Sequence, residues 1–173
     1  MYILVNFYFE FVKYGGSDGN SLGIVLTPRH ITNLMCELID INENDYVLDP
    51  CCGSGGFLIA AMNKMLNQTT DESKQAQIKQ KQLHGIELQQ KLFTIATTNM
   101  ILRGDGKSNL KRDDIFHVGK DFYTDKITKA LINPPYSQAK TKNLSHLSEI
   151  SFINETLSLM KSGAKLAAIV PQS

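Results

Sequence analysis

The sequence predicts an α/β fold, an open and mostly parallel sheet with helices on both faces. Short apolar runs alternate with longer segments of helical periodicity, the pattern of strands joined by crossover helices. A glycine-rich turn, Cys51 to Gly56, follows the first run and leads straight into a helix. Two turns of unusual chemistry fall at strand ends, where open parallel sheets bind ligands.

Tyr2 to Val12 (YILVNFYFEFV) is aromatic-rich and carries Asn6 and Glu10 without a basic leader, which argues against a signal peptide. It is compatible with a helix or a strand packed on the rest of the chain. Residues 1–20 are expected as a separate N-terminal segment, ending in the loop Tyr14–Asn20, and residues 21–173 as one domain. Thr27 is the expected N-cap of the first helix, with Pro28 at its first position. Ile31, Leu34, Met35, Leu38 and Ile39 then mark one buried face. Asn42 to Asp45 breaks the pattern, and Tyr46–Leu48 is a strand ending at Asp49.

Phe57–Leu66 continues from the glycine turn as a helix, and the polar stretch Asn67–Lys81 is expected as a solvated helix end or surface insertion. Leu83–Ile86 is the second strand, Leu88–Leu102 the next helix, and Asn109–Lys111 a short third strand. Ala130–Ile132 is the fourth. Ile150, Ile153, Leu157 and Met160 mark a further amphipathic helix, closed by Ser162-Gly163 before a fifth strand, Lys165–Val170. The sequence ends three residues later, where a doubly wound sheet would continue. The expectation is a domain truncated after its fifth strand.

Composition narrows the function. With 42% hydrophobic and 20% charged residues the chain is globular rather than disordered. A formal net charge of +1 is a weak grip on nucleic-acid phosphates, so any such grip is local or supplied by another subunit. Cys36, Cys51 and Cys52 have neither disulfide nor zinc spacing, which predicts a reducing, cytoplasmic setting and no metal site. No apolar run reaches the roughly 20 residues of a membrane span.

The first chemical constellation is Asp49-Pro50-Cys51-Cys52-Gly53-Ser54-Gly55-Gly56-Phe57. Its glycines allow a tight turn and close ligand approach, and the helix start behind it offers backbone amides. The spacing is not the dinucleotide GxGxxG fingerprint, and an acid heads the turn. Glu87, at the end of the second strand, stands where such sheets hold ribose hydroxyls. The bland alternative is a glycine turn that only packs a helix on a strand. The second constellation is Asn133-Pro134-Pro135-Tyr136. Its prolines stiffen the backbone and remove amide donors, leaving carbonyls, the Asn133 amide oxygen and a flat ring, a set suited to an amino group on a conjugated ring. Its alternative is a rigid turn with an incidental Tyr.

Together these motifs resemble the N6-adenine DNA methylase family, and within it the modification subunits of type I restriction systems. Leu22–Pro28 (LGIVLTP) resembles the family's motif X, Asp49–Phe57 motif I, Gly85-Ile86-Glu87 motif II and Asp113-Asp114-Ile115 motif III. Asn133–Tyr136 resembles the adenine-specific form of motif IV, and Leu159–Pro171 the strand of the motif after it. The likeness runs from about Phe7 onward.

The resemblance implies a Rossmann-like, S-adenosylmethionine-dependent methyltransferase fold. It implies that Thr27 and the loop of Asp49, Cys51, Gly53, Gly55, Gly56 and Phe57 hold the methionine part of the cofactor. Glu87 would take the ribose, Asp114 the adenine amino group, and Ile115 the adenine ring. Asn133 and the Pro134 carbonyl would accept from the target amino group, on a backbone stiffened by Pro135, with Tyr136 stacked on an adenine flipped from double-stranded DNA. The implied partners are a specificity subunit and a restriction subunit. Release-factor methyltransferases, acting on a glutamine amide, also use Asn-Pro-Pro-Tyr. The motif X likeness and the double glycine before Phe57 favour DNA. A fragment that only binds cofactor or a partner is the third reading. His30, His84, His117 and His146 match no motif, and no His lies near Cys51-Cys52 in sequence to make a catalytic thiol.

Overall fold

The computed structural model describes residues 26–104, 109–119, 123, 125–135 and 148–171. The segment 1–20, residues 22–25 of the motif X likeness and Tyr136 lie outside the described residues.

Five parallel strands form one sheet in the order β3-β2-β1-β4-β5: β1 Val47–Asp49, β2 Leu83–Ile86, β3 Asn109–Lys111, β4 Lys129–Ile132 and β5 Lys165–Ala168. The strand order reverses between β1 and β4, which opens a crevice at their carboxyl ends. Alternation along each strand divides two cores. Val47, Leu83, Leu110 and Leu131 face one, while Leu48, Ile86, Ala130 and Ile132 face the other.

The first core is covered by α1 (Arg29–Leu38), α2 (Gly56–Leu66), α3 (Glu72–Lys81) and α4 (Gln90–Ile101). The second is covered by α5 (Glu149–Ser158) and by Ile115, Val118, Tyr123 and Ile127 from the β3–β4 connection. The expected sheet with helices on both faces is what the chain forms.

The polar stretch Asn67–Lys81 is more than a solvated helix end. Asp71 caps a separate helix by accepting from the Ser73 amide at 3.0 Å, and Ile78 is fully buried against the first core. Two helix faces also differ from expectation. On α1 the buried residues are Thr32, Met35 and Cys36, whereas Leu34 is 51% and Leu38 70% exposed. Thr32 tolerates burial because its hydroxyl donates to the Arg29 carbonyl at 3.0 Å. On α5 Phe152 and Thr156 face inward, and Ile150 and Leu157 face outward. The N-cap of α1 is Pro28, without a side-chain cap, so Thr27 does not serve as one.

Gly85, at the centre of β2, is where the packing is tightest. A Cβ there would overlap Leu110 Cδ2 and lie 2.9 Å from Leu58 Cδ1 and 3.1 Å from Cys52 Sγ. Gly85→Ala is therefore expected to destabilise the chain by about 1–3 kcal/mol, the usual cost of overpacking. Urea unfolding would show it as a lower midpoint with unchanged slope, and an unshifted midpoint would mean the core yields there.

Candidate active site at the carboxyl ends of β1, β2 and β4

The glycine turn leaves β1 at Asp49 and enters α2 at Gly56. Gly53 and Gly55 have φ of +52° and +83°, left-handed values that side chains with a Cβ rarely adopt. The turn is held at several points. Cys52 N–H donates to the Ile86 carbonyl at 2.9 Å, and Gly55 N–H to the Cys52 carbonyl at 2.7 Å. From α4, the Asn99 amide donates to the Ser54 carbonyl at 3.0 Å. The space where Cβ atoms of Gly53 and Gly56 would sit is clear of protein atoms to 4 Å.

Glu87 stands at the end of β2 and is 8% exposed. Its Oε2 accepts from Gly53 N–H at 2.9 Å and its Oε1 from Gln89 N–H at 2.7 Å. A carboxylate has about four lone-pair sites, so acceptor capacity remains on both oxygens. The strand end itself is tied to β3: Glu87 N–H donates to the Lys111 carbonyl at 3.0 Å, and Asp113 N–H to the Glu87 carbonyl at 3.2 Å. Asp114 follows, with Oδ1 accepting from Phe116 N–H at 3.0 Å and Oδ2 3.4 Å from His117 Nδ1. Ile115 is buried in the second core.

Asp49 is 1% exposed, and its Oδ1 accepts from Cys51 N–H at 3.2 Å. Burial pushes its carboxyl up from 3.8 to about 8; the Cys51 amide opposes this and the neighbouring Glu87 adds to it. The unfolded state thus ionises near pH 4, whereas the folded state keeps the proton to about 8. The folded state binds more protons through that window, so Asp49 costs stability as pH rises across it, by up to about 1.4 kcal/mol per pH unit. Asp49→Asn is expected to remove this slope while keeping an acceptor for Cys51. Urea unfolding at pH 5 and pH 8 checks it, and parallel pH profiles for the two proteins would refute it.

Burial also pushes the Cys51 and Cys52 thiols well above their ordinary value, with Asp49 and Glu87 adding to it. Neither is a thiolate at neutral pH, which argues against a cysteine nucleophile.

Asn133 follows β4 across the crevice. Its Nδ2 donates to Thr27 Oγ1 at 3.0 Å, and its Oδ1 is buried with no hydrogen-bond partner among the described residues. Pro134 is buried and Pro135 half-buried. Among the sequence-predicted residues, Asp49, Cys51, Gly53, Gly55, Gly56, Glu87 and Asp114 thus belong to the turns at the ends of β1, β2 and β3, and Asn133 to the turn after β4. Phe57 instead packs in the first core with α2. Two residues beyond the motif positions take part in this architecture. Asn99 braces the glycine turn, and Leu88, 64% exposed, follows Glu87 directly. The sequence announces neither the exposure of Leu88 nor the reach of Asn99 to a carbonyl 45 residues away.

A protein-family model described as N-6 DNA Methylase matches residues 4–166. The chain belongs to that family. It is 63% identical over 172 residues to the "Type II restriction enzyme and methyltransferase RM.BcgI" of Heyndrickxia coagulans, covering 99% of this chain and 27% of that protein. It is 29% identical to the type I restriction enzyme EcoEI methylase subunit of Escherichia coli, over 69% of this chain and 24% of that subunit. The chain therefore spans about a quarter of the length of these family members.

A solved structure of a modification subunit, assigned to a type I restriction enzyme of Vibrio vulnificus YJ016, superposes with a TM-score of 0.79. The match has 21% identity and covers 99% of this chain and 39% of that one. The type I restriction enzyme EcoKI M protein gives 0.66 at 23% identity, over 84% and 34%. At that identity the two structures establish a shared fold.

Proposed function

We propose that this chain is the cofactor-binding and amino-accepting part of a DNA adenine-N6 methyltransferase in a restriction–modification system. The observation that carries it is Asn133 Oδ1, a buried acceptor without a donor, at the strand end beside the switch point that also holds the glycine turn. An amino group is the ligand that answers it.

S-adenosylmethionine fits the other half of the crevice. The clear space above Gly53 and Gly56 accommodates a backbone-hugging ligand, and Glu87 keeps acceptor capacity for two ribose hydroxyls. Asp49, Thr27, Cys51, Gly53, Gly55, Gly56 and Phe57 build the methionine end in this reading. Glu87, Asp114 and Ile115 build the adenosine end, with Leu88 as an added apolar wall. The cofactor supplies an electrophilic methyl group on a sulfonium.

The protein's task is to make a poor nucleophile available. The exocyclic nitrogen of adenine delocalises its lone pair into the ring. Asn133 Oδ1 accepts one of its N–H bonds and the Pro134 carbonyl the other, which localises the lone pair on nitrogen. Pro135 keeps that carbonyl in place, and Tyr136 stacks on the flipped base. Catalysis is then positioning and electrostatics, and the proton lost from nitrogen passes to water.

The near-neutral charge accords with recognition of double-stranded DNA by a specificity subunit or domain, with a restriction subunit or domain as the further partner. The relative at 63% identity carries both restriction and methyltransferase in its name, so both partners belong to one assembly in this reading. Among the described residues no helix is long and apolar enough to cross a membrane, and a cytoplasmic setting accords with the DNA substrate.

Calorimetric titration of the full chain with S-adenosylmethionine, followed by transfer of labelled methyl to adenine in duplex DNA, tests the proposal. Saturable one-to-one binding is expected, and a folded chain that does not bind would refute it.

A further inference from the structure

We propose that Thr27 is the positioning residue for Asn133: by accepting an amide N–H, its hydroxyl holds the carboxamide with Oδ1 available to the target amino group. This rests on the reading of Asn133 as the acceptor.

The need for such a residue follows from the chemistry of the turn. Pro134 and Pro135 stiffen the backbone after Asn133, yet they leave its side-chain torsions untouched. The terminal torsion of a carboxamide is broad and two-fold. Its two orientations exchange an acceptor for a donor, and only one suits an incoming N–H. With the donor side presented, amino group would meet amino group.

In the structure Thr27 meets the nitrogen side of the carboxamide, its hydroxyl serving as the acceptor. Its Oγ1 lies 3.0 Å from Asn133 Nδ2, across 106 residues of sequence. The hydroxyl is not spent on the helix that follows it, because the N-cap of α1 is Pro28 and that cap uses no side chain. Pro28 instead fixes the approach: its carbonyl accepts from Ile31 N–H at 3.0 Å and Thr32 N–H at 3.1 Å, anchoring the chain beside Thr27 to the first turn of α1. The Asn133 carboxamide is thereby satisfied on its nitrogen side while its oxygen is left without a partner. Drawing on Nδ2–H also polarises the amide, which strengthens the oxygen as an acceptor. Thr27 thus acts on the target amino group through Asn133, in addition to any contact with the cofactor.

Side-chain amide NMR of the nitrogen-15-labelled full chain is the direct test, with the Asn133 signals identified by their loss in Asn133→Asp. In the wild type one Nδ2 proton is expected to be shifted downfield and protected from exchange. Thr27→Val removes that shift and Thr27→Ser retains it; if the Val variant does not fold, Thr27→Ala takes its place. An Asn133 amide that stays put without the hydroxyl overturns the proposal.

In single-turnover transfer to duplex DNA, Thr27→Val is expected to be about 10–100-fold slower, the scale of a small misplacement at a reacting centre. The loss persists at saturating cofactor, and Ser restores the rate. A rate loss that disappears at saturating cofactor assigns Thr27 to cofactor binding alone and also overturns it. Wild-type transfer by Asn133→Ala would refute the acceptor reading instead, a result distinct from either outcome at Thr27.

Discussion

Asn133→Ala is expected to lower methyl transfer by about 10²–10³-fold, the usual loss when one preorganised polar contact to the reacting group is removed. The Kd for S-adenosylmethionine is expected to stay within about twofold. The separation follows from where the side chain sits. Asn133 follows β4, its nitrogen is engaged by Thr27, and its oxygen has no hydrogen-bond partner among the described residues. The glycine turn, by contrast, is held by Glu87, Asn99 and backbone groups, and none of these bonds involves Asn133. Truncation therefore removes an acceptor needed only when the amino group arrives, and leaves the cofactor cradle intact. Such a loss falls on the maximal rate and persists at saturating cofactor and DNA. A variant that loses cofactor binding in proportion to transfer would show instead that Asn133 belongs to the cradle. Full activity would show that the Pro134 carbonyl suffices.

What the sequence made legible was local chemistry, and what it hid was tertiary choice. The Cys51–Gly56 turn and the Asn133-Pro134-Pro135 turn could be read directly, because glycine at positive φ and consecutive prolines restrict the backbone whatever surrounds them. The five strands were placed to within two residues at each end, although β3, Asn109–Lys111, is not an apolar run. Helix faces were not. Of the face expected for α1, Met35 and the C-cap residue Ile39 are buried and Ile31 packs on the first core, whereas Leu34 and Leu38 face outward. Cys36 and Thr32 are buried in addition, Thr32 with its hydroxyl satisfied on its own helix. The buried face of α5 is likewise displaced from Ile150 and Leu157 to Phe152 and Thr156.

Thr27 shows the hidden part most clearly. Threonine before proline at a helix start carries the local signature of an N-cap. The side chain instead serves Asn133, and nothing within several residues of either announces the bond. Asn99 is the same case from another direction: its reach to Ser54 depends on the packing of α4 beneath the glycine turn. Residues that bind through their own chemistry are visible in a sequence. Those that bind by holding others become visible when the fold brings them together.

Glu87→Ala carries the second large effect, because the carboxylate clamps the glycine turn and, in the proposed function, also takes the ribose. Its two oxygens accept from Gly53 and Gln89 N–H, so the side chain clamps the glycine turn to the end of β2. Hydrogen bonds to a charged acceptor contribute roughly 1.5–3 kcal/mol each, and alanine removes both. Water reaches half-buried Gly53 and exposed Gln89, which recovers part of the loss. The expected outcome is a destabilisation of about 2–4 kcal/mol in urea unfolding, together with a cofactor Kd raised about 100-fold or more as the cradle loosens and the ribose acceptor disappears. Glu87→Gln separates the roles. It keeps one oxygen for one amide but turns an NH₂ toward the other, so it loses less stability than alanine while still weakening the cofactor. If both variants lost stability and neither changed the cofactor Kd, Glu87 would be a clamp for the turn alone, and the ribose would have to be held elsewhere along the crevice.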